Sequence, residues 1–282
     1  AGAGGGAGGA SSGGGGGAPA PSGGCHQSFS PGTLVKTFDV AGVTRQVAFY
    51  VPQSYTGTEP LPLIFTLHGS GDSGPSALSS TFADFKKLAD TRGFFIAALS
   101  GANGLWDVGL DPARPSDPAF ATVVLDWVGQ NLCLDAKRVF STGFSGGARE
   151  SSYLPCALPG RFRAIAPVAG VRHDPPCGMG GVSVMAVHGT ADTQNIYAGC
   201  TGPCRGGEWG ESVEAAVADW VKSDACTGAP MIESVSATVE RQTWNACAGG
   251  TEVVFYKVAG ATHMWNLLPN IATQVVDFFL AR

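Results

Sequence analysis

From residue 63 onward the chain is punctuated by short continuous apolar runs, Leu63–Leu67, Phe94–Leu99, Val139–Thr142, Ala164–Val168 and Val182–Val187, and Val253–Val258 supplies another strand. Runs without polar alternation are the pattern of strands covered on both faces. Apolar positions elsewhere recur at helical spacing, predicting helices at about Ser76–Thr91, Ala119–Leu132, Gly147–Leu158, Ser212–Ser223 and Ile271–Leu280. This order of strands and helices predicts an α/β domain, a mostly parallel central sheet with helices on both faces. Ahead of it, Thr33–Val40 and Arg45–Val51 flank Ala41-Gly42-Val43-Thr44 and predict an N-terminal antiparallel hairpin.

Composition divides the chain in two. Residues 1–24 are almost wholly Gly, Ala, Ser and Pro, too poor in apolar surface to offset ordering entropy, and predict a disordered tail. Such a segment serves as a tether or is inert, and composition suits both. Residues 25–282 are then the folded domain; with 44% hydrophobic content in 282 residues, the chain can bury one sizeable core. A net charge of -5 with no basic run argues against nucleic-acid and anionic-membrane partners. No apolar stretch reaches the length of a transmembrane helix.

Cys25, Cys133, Cys156, Cys177, Cys200, Cys204, Cys226 and Cys247 form an even, scattered set, which predicts disulfides and an oxidising, extracellular compartment. Metal binding is not expected, because the one close pair, Cys200 and Cys204, has no second pair or histidine nearby. Order along the chain suggests Cys25 with Cys133, Cys156 with Cys177, Cys200 with Cys204 and Cys226 with Cys247. The chain opens in Ala/Gly repeats rather than a secretory signal, and we read it as a mature or trimmed form.

The chemistry centres on Gly143-Phe144-Ser145-Gly146-Gly147, between a predicted strand and a predicted helix. That context describes a nucleophile elbow, in which a strained turn projects a serine hydroxyl. Gly9-Ala10-Ser11-Ser12-Gly13 also fits the pattern, but it has neither strand nor helix around it. Asp192, in His188-Gly189-Thr190-Ala191-Asp192, and His263, in Thr262-His263-Met264-Trp265, each follow a predicted strand and supply an acid and a base. The chain order serine, acid, histidine is that of the α/β-hydrolases. His173 is the rival base, and Asp174, Asp219 and Asp224 are rival acids. His26 lies beside the tail, while His68 and His188 precede glycines at strand ends and are read as loop braces. The backbone N–H of Gly146 and that of Ser70, in His68-Gly69-Ser70-Gly71, are the candidate oxyanion donors. The second loop lacks the Gly-Lys-Ser/Thr ending of a phosphate cradle. Trp106, Trp209 and Trp265 fall in loops near these residues and suit either substrate stacking or loop packing.

Taken with His68-Gly69 and Ala166-Pro167-Val168-Ala169-Gly170, these motifs make the chain resemble secreted feruloyl esterases and polyhydroxybutyrate depolymerase-like esterases, from about Cys25 to Arg282. The resemblance implies an α/β-hydrolase fold and cofactor-free hydrolysis of carboxylic esters through an acyl-enzyme. It makes Ser145 the nucleophile, Asp192 the acid, His263 the base, and Gly146 with Ser70 the oxyanion donors. The expected substrates are feruloyl esters of plant cell-wall polysaccharide, with polyester depolymerisation, peptide hydrolysis and a catalytically silent binding protein as alternatives. Two features depart from the family: Ser70 stands where depolymerases often carry cysteine, and Cys200–Gly207 reads as an insertion after the acid.

Overall fold

A computed structural model describes residues 22–108, 116–173, 180–200 and 210–282. One ten-stranded sheet runs through the molecule. Its strands are β1 (Gly32–Val40), β2 (Val43–Val51), β3 (Leu61–Leu67), β4 (Phe95–Leu99), β5 (Leu134–Phe144), β6 (Ala164–Val168), β7 (Ser183–Gly189), β8 (Met231–Ser234), β9 (Val239–Trp244) and β10 (Val253–Val258). The spatial order is β1-β2-β4-β3-β5-β6-β7-β10-β9-β8. From β4 to β10 neighbouring strands pair in parallel, and antiparallel pairs close both edges.

The unbroken apolar runs are explained by burial on both faces. On one face Ile64, Phe140, Val187 and Tyr256 pack against α1 (Gly74–Ser79), α2 (Ala83–Arg92) and α6 (Ile271–Leu280). On the other, Phe65, Leu67, Phe95 and Val139 pack against α3 (Asp117–Asn131) and Leu154 of α4 (Gly146–Ala157), while Val184 and Phe255 pack against α5 (Val213–Ser223). The expected sheet, two helical layers and N-terminal hairpin are all present.

Two elements differ from the sequence reading. The single helix expected over Ser76–Thr91 is two helices, broken where the Ser80 N–H caps α1 through Ala77 O and Phe82 turns into the core. The β8–β9 hairpin was not anticipated. β8 is exposed throughout and the β9 run Val-Glu-Arg-Gln-Thr-Trp is polar, so neither carries the apolar signal of the interior strands.

Cys25–Cys133 and Cys226–Cys247 are bonded as expected. Cys156 and Cys200 are also in disulfides; Cys177 and Cys204, suggested as their partners, lie outside the described residues, as does the tail through residue 21. Ser22 and Gly24 are tied to the domain, with Ser22 Oγ donating to Leu132 O at 2.8 Å and the Gly24 N–H donating to Gly129 O at 3.1 Å.

Candidate active site

The elbow is built at the carboxyl end of β5. Ser145 sits between β5 and α4 with φ 58° and ψ −117°, a conformation a non-glycine residue adopts only under constraint. The constraint is visible in its neighbours. A Cβ on Gly147 would stand 2.0 Å from Leu67 O, and one on Gly143 would stand 2.3 Å from the Gly147 carbonyl carbon. Glycine at both positions lets β5 turn sharply into α4. The Ser145 N–H donates to Val168 O at 3.1 Å, which pins the turn to the neighbouring strand.

His263 and Asp192 converge on this serine from the loops after β10 and β7. Ser145 Oγ is 2.8 Å from His263 Nε2, and His263 Nδ1 is 2.7 Å from Asp192 Oδ2. The carboxylate fixes the tautomer: Nδ1–H donates to it, leaving Nε2 to accept the serine proton. Phe144 lies against the imidazole at a centroid distance of 4.9 Å. The other carboxylate oxygen, Asp192 Oδ1, accepts the N–H groups of Gln194 at 2.8 Å and Asn195 at 2.9 Å. Burial alone would raise the Asp192 pKa; hydrogen bonds from His188, His263 and the Gln194 N–H outweigh it and hold the carboxyl well below the usual carboxylate range. Asp192 is therefore ionised throughout the ordinary carboxylate range and above it.

The loop Gly69–Gly71 covers the elbow. A Cβ on Gly146 would come within 2.4 Å of Ser70 Oγ and 3.3 Å of Ser70 N, so the two candidate oxyanion donors are close neighbours beside Ser145. The loop is braced from below. His68 Nδ1 donates to Gly69 O at 2.7 Å while Nε2 accepts the Gly101 N–H at 2.8 Å. Burial lowers the His68 pKa, which suits a neutral ring that donates from one nitrogen and accepts on the other.

No protein-family model matches the chain. It is similar to feruloyl esterase D of Neurospora crassa, 29% identical over 188 residues that make up 62% of this chain and 63% of the relative. Feruloyl esterase B of Piromyces equi is 26% identical over 237 residues, 78% of this chain and 42% of the relative. A bifunctional acetylxylan esterase/xylanase of Neocallimastix patriciarum is 25% identical, over 79% of this chain and 31% of the relative. The matches span less than two thirds of these relatives' own lengths. Among solved structures, the acetyl xylan esterase from Aspergillus awamori superposes with a TM-score of 0.66 at 15% identity, covering 88% of this chain and 100% of that one. An S-formylglutathione hydrolase from Agrobacterium tumefaciens gives 0.60 at 12% identity, covering 91% and 98%. This is an α/β-hydrolase fold.

The rival residues stand elsewhere in the hydrolase fold. His173 packs edge-on against Trp220 and its N–H donates to Glu211. Asp219 is exposed on α5. Asp224 accepts the Gly181 N–H at 2.7 Å and so serves a loop. Asp174 and Trp209 lie outside the described residues. Trp106 is 3% exposed, and its Nε1–H donates to His68 O at 2.8 Å; Trp265, 9% exposed, packs edge-on to Phe82 at 4.9 Å. Both indoles pack within the loops that flank Ser145 and His263.

Sequence reasoning missed three supports. Asn195 links two loops, its N–H on Asp192 and its side-chain amide on Ala169 O beside the elbow. His188, read only as a loop brace, donates to Asn195 O at 2.9 Å and also stands 3.2 Å from Asp192 Oδ2. The spacing His188, Asp192, Asn195 holds the clue, since a carboxylate two and three residues before free N–H groups closes an Asx turn. The third support is a cluster of the buried residues Arg45, Asp117 and Glu150 with the half-buried Asp107. Arg45 pairs with Asp117, Asp117 accepts the Asp107 N–H, and Glu150 Oε2 accepts the Val108 N–H at 3.2 Å. These bonds fasten the Trp106 loop to α3 and to α4, the helix that begins at the elbow. Glu150 is wholly buried; burial, with Asp117 next, pushes its carboxyl well above the usual range.

Proposed function

We propose that the chain is a secreted serine carboxylesterase that hydrolyses feruloyl esters of plant cell-wall polysaccharide. The observation that carries this reading is the hydrogen-bonded sequence Ser145 Oγ, His263 Nε2, His263 Nδ1, Asp192 Oδ2, at 2.8 and 2.7 Å, on a strained elbow. Similarity to proteins named feruloyl and acetylxylan esterases supports the substrate class, and the disulfides support an extracellular setting. Among the described residues, no helix is long and apolar enough to cross a membrane.

Ser145 Oγ attacks the ester carbonyl carbon as its proton passes to His263 Nε2. Charge builds on the carbonyl oxygen, which the Gly146 and Ser70 N–H groups stabilise. His263 then gives the proton to the departing alcohol, leaving an acyl-enzyme. Water repeats the sequence from the same face: His263 takes its proton, the carboxylic acid leaves, and Ser145 is restored. Asp192 stays ionised and balances the imidazolium formed in each half.

The test compares the wild type with Ser145→Ala on methyl ferulate, feruloylated xylan, acetylated xylan, p-nitrophenyl esters and a polyester film. Release of ferulate, lost in the variant, is the expected result. Full activity of the variant on methyl ferulate would remove the proposed nucleophile, and film clearing without ferulate release would move the substrate to polyesters.

A further inference from the structure

Helix α6 follows the carboxyl end of β10, and α2 follows β3 by way of the short α1; both run back toward the opposite edge, where Arg92 pairs with Asp277 at 3.0 Å and Arg138 reaches Leu280 O. Their first turns therefore open beside the loop that carries His263. Between them lies an open cleft of about 730 Å3, lined by the polar residues Ser80, Thr81, Asp84, Asn266 and Asn270 and walled by Trp265. That volume falls within the range of small-molecule sites. The Asp84, Asn266 and Asn270 side chains are exposed along this cleft, and Asn270 leaves the first turn of α6 without a side-chain cap.

The lining has a definite chemistry. Two amides, two hydroxyls and a carboxylate offer both donors and acceptors, whereas no Lys, Arg or His is present to hold an anion. A ligand of closely spaced hydroxyl groups satisfies such a set, and the leucines and proline in the same wall suit the apolar faces of sugar rings. The location fits one part of the substrate. His263 protonates the leaving alcohol, so the alcohol departs on the His263 side of Ser145, and Trp265 is only two residues further along that loop.

We infer that this cleft is a sugar subsite that binds the polysaccharide alcohol of the ester. The inference rests on the esterase reading above and names where the non-acyl part of the substrate lies.

The experiment uses Asp84→Ala and Asn270→Ala and two esters with the same acyl group, methyl ferulate and a feruloylated xylan-derived oligosaccharide. The ratio of kcat/KM for the oligosaccharide ester to that for methyl ferulate is expected to fall at least fivefold in each variant, with the loss carried by KM. A ratio within twofold of wild type in both variants would overturn the subsite. A second measurement is independent of turnover: saturation-transfer NMR of the unesterified oligosaccharide on Ser145→Ala, with and without Asp84→Ala. Binding that Asp84→Ala weakens supports the subsite even if the wild type hydrolyses no ferulate, an outcome that would sink the esterase reading alone. Absence of binding to Ser145→Ala, with active wild type, would sink the subsite alone.

Discussion

Replacing Asp192 by asparagine should remove the base without removing the histidine. The argument lies in the two sides of the carboxylate. Oδ1 accepts two backbone N–H groups, from Gln194 at 2.8 Å and Asn195 at 2.9 Å, while Oδ2 faces His263 Nδ1 at 2.7 Å and His188 Nε2 at 3.2 Å. An asparagine has one accepting oxygen, and it must stay on the Oδ1 side, because the reverse would set an NH2 group against two N–H donors. The NH2 group then faces His263 Nδ1, which has to accept, and the ring proton moves to Nε2, opposite Ser145 Oγ. A wrong tautomer in a serine triad costs about 10⁴ in kcat, or roughly 5 kcal/mol at 1.36 kcal/mol per tenfold. The fold should survive: hydrogen bonds to a charged group are worth about 1.5–3 kcal/mol, and Asn195 O and both backbone donors keep their partners. Steady-state kinetics on methyl ferulate, with urea denaturation as the control for folding, measure both terms. A folded Asp192→Asn protein within tenfold of wild-type kcat would refute the tautomer argument. The low pKa carries its own sign: the stability that Asp192 contributes is present above the unfolded carboxylate range and lost only as pH falls below it.

Two glycines should respond oppositely to alanine. Gly147→Ala drives a Cβ to 2.0 Å from the backbone oxygen of Leu67 and is expected to cost about 3 kcal/mol in urea denaturation, whereas Gly129→Ala, in α3 with nothing within 4 Å, should gain about 0.5–1 kcal/mol. Glu150, with its raised pKa, contributes stability below the unfolded glutamate range that is lost as pH rises toward the folded value. Wild-type stability should fall over that window by up to about 1.4 kcal/mol per pH unit, and Glu150→Gln should lack the slope; identical slopes would show Glu150 to be ionised. Cys25→Ala with Cys133→Ala opens a covalent loop of sequence separation 108 and should lower stability by about 2–5 kcal/mol, read from denaturation midpoints at fixed temperature.

Much of this was legible because the signals are local. Ala164–Val168 is buried along its whole length and Val253–Val258 at every position but Lys257, so both had to be largely apolar, which set their bounds. The elbow was legible from its flanking glycines, and Asp192 and His263 from their places after strands. β8 and β9 left no such trace, since an exposed edge needs no apolar face. The break between α1 and α2 depends on Phe82 reaching the core, which periodicity cannot register. Arg45, Asp107, Asp117 and Glu150 are scattered along the chain, and only the folded sheet brings them under one loop. In sequence a buried carboxyl of this kind is indistinguishable from a solvated one.

The central claim is that Ser145 is the nucleophile and that His263 activates it. Intact-mass spectrometry after reaction with a fluorophosphonate tests this most directly. The account predicts one adduct per chain, mapped to Ser145 by peptide sequencing and slowed at least a hundredfold in His263→Ala. An active enzyme that takes no label at Ser145, or one labelled equally fast without His263, would contradict it.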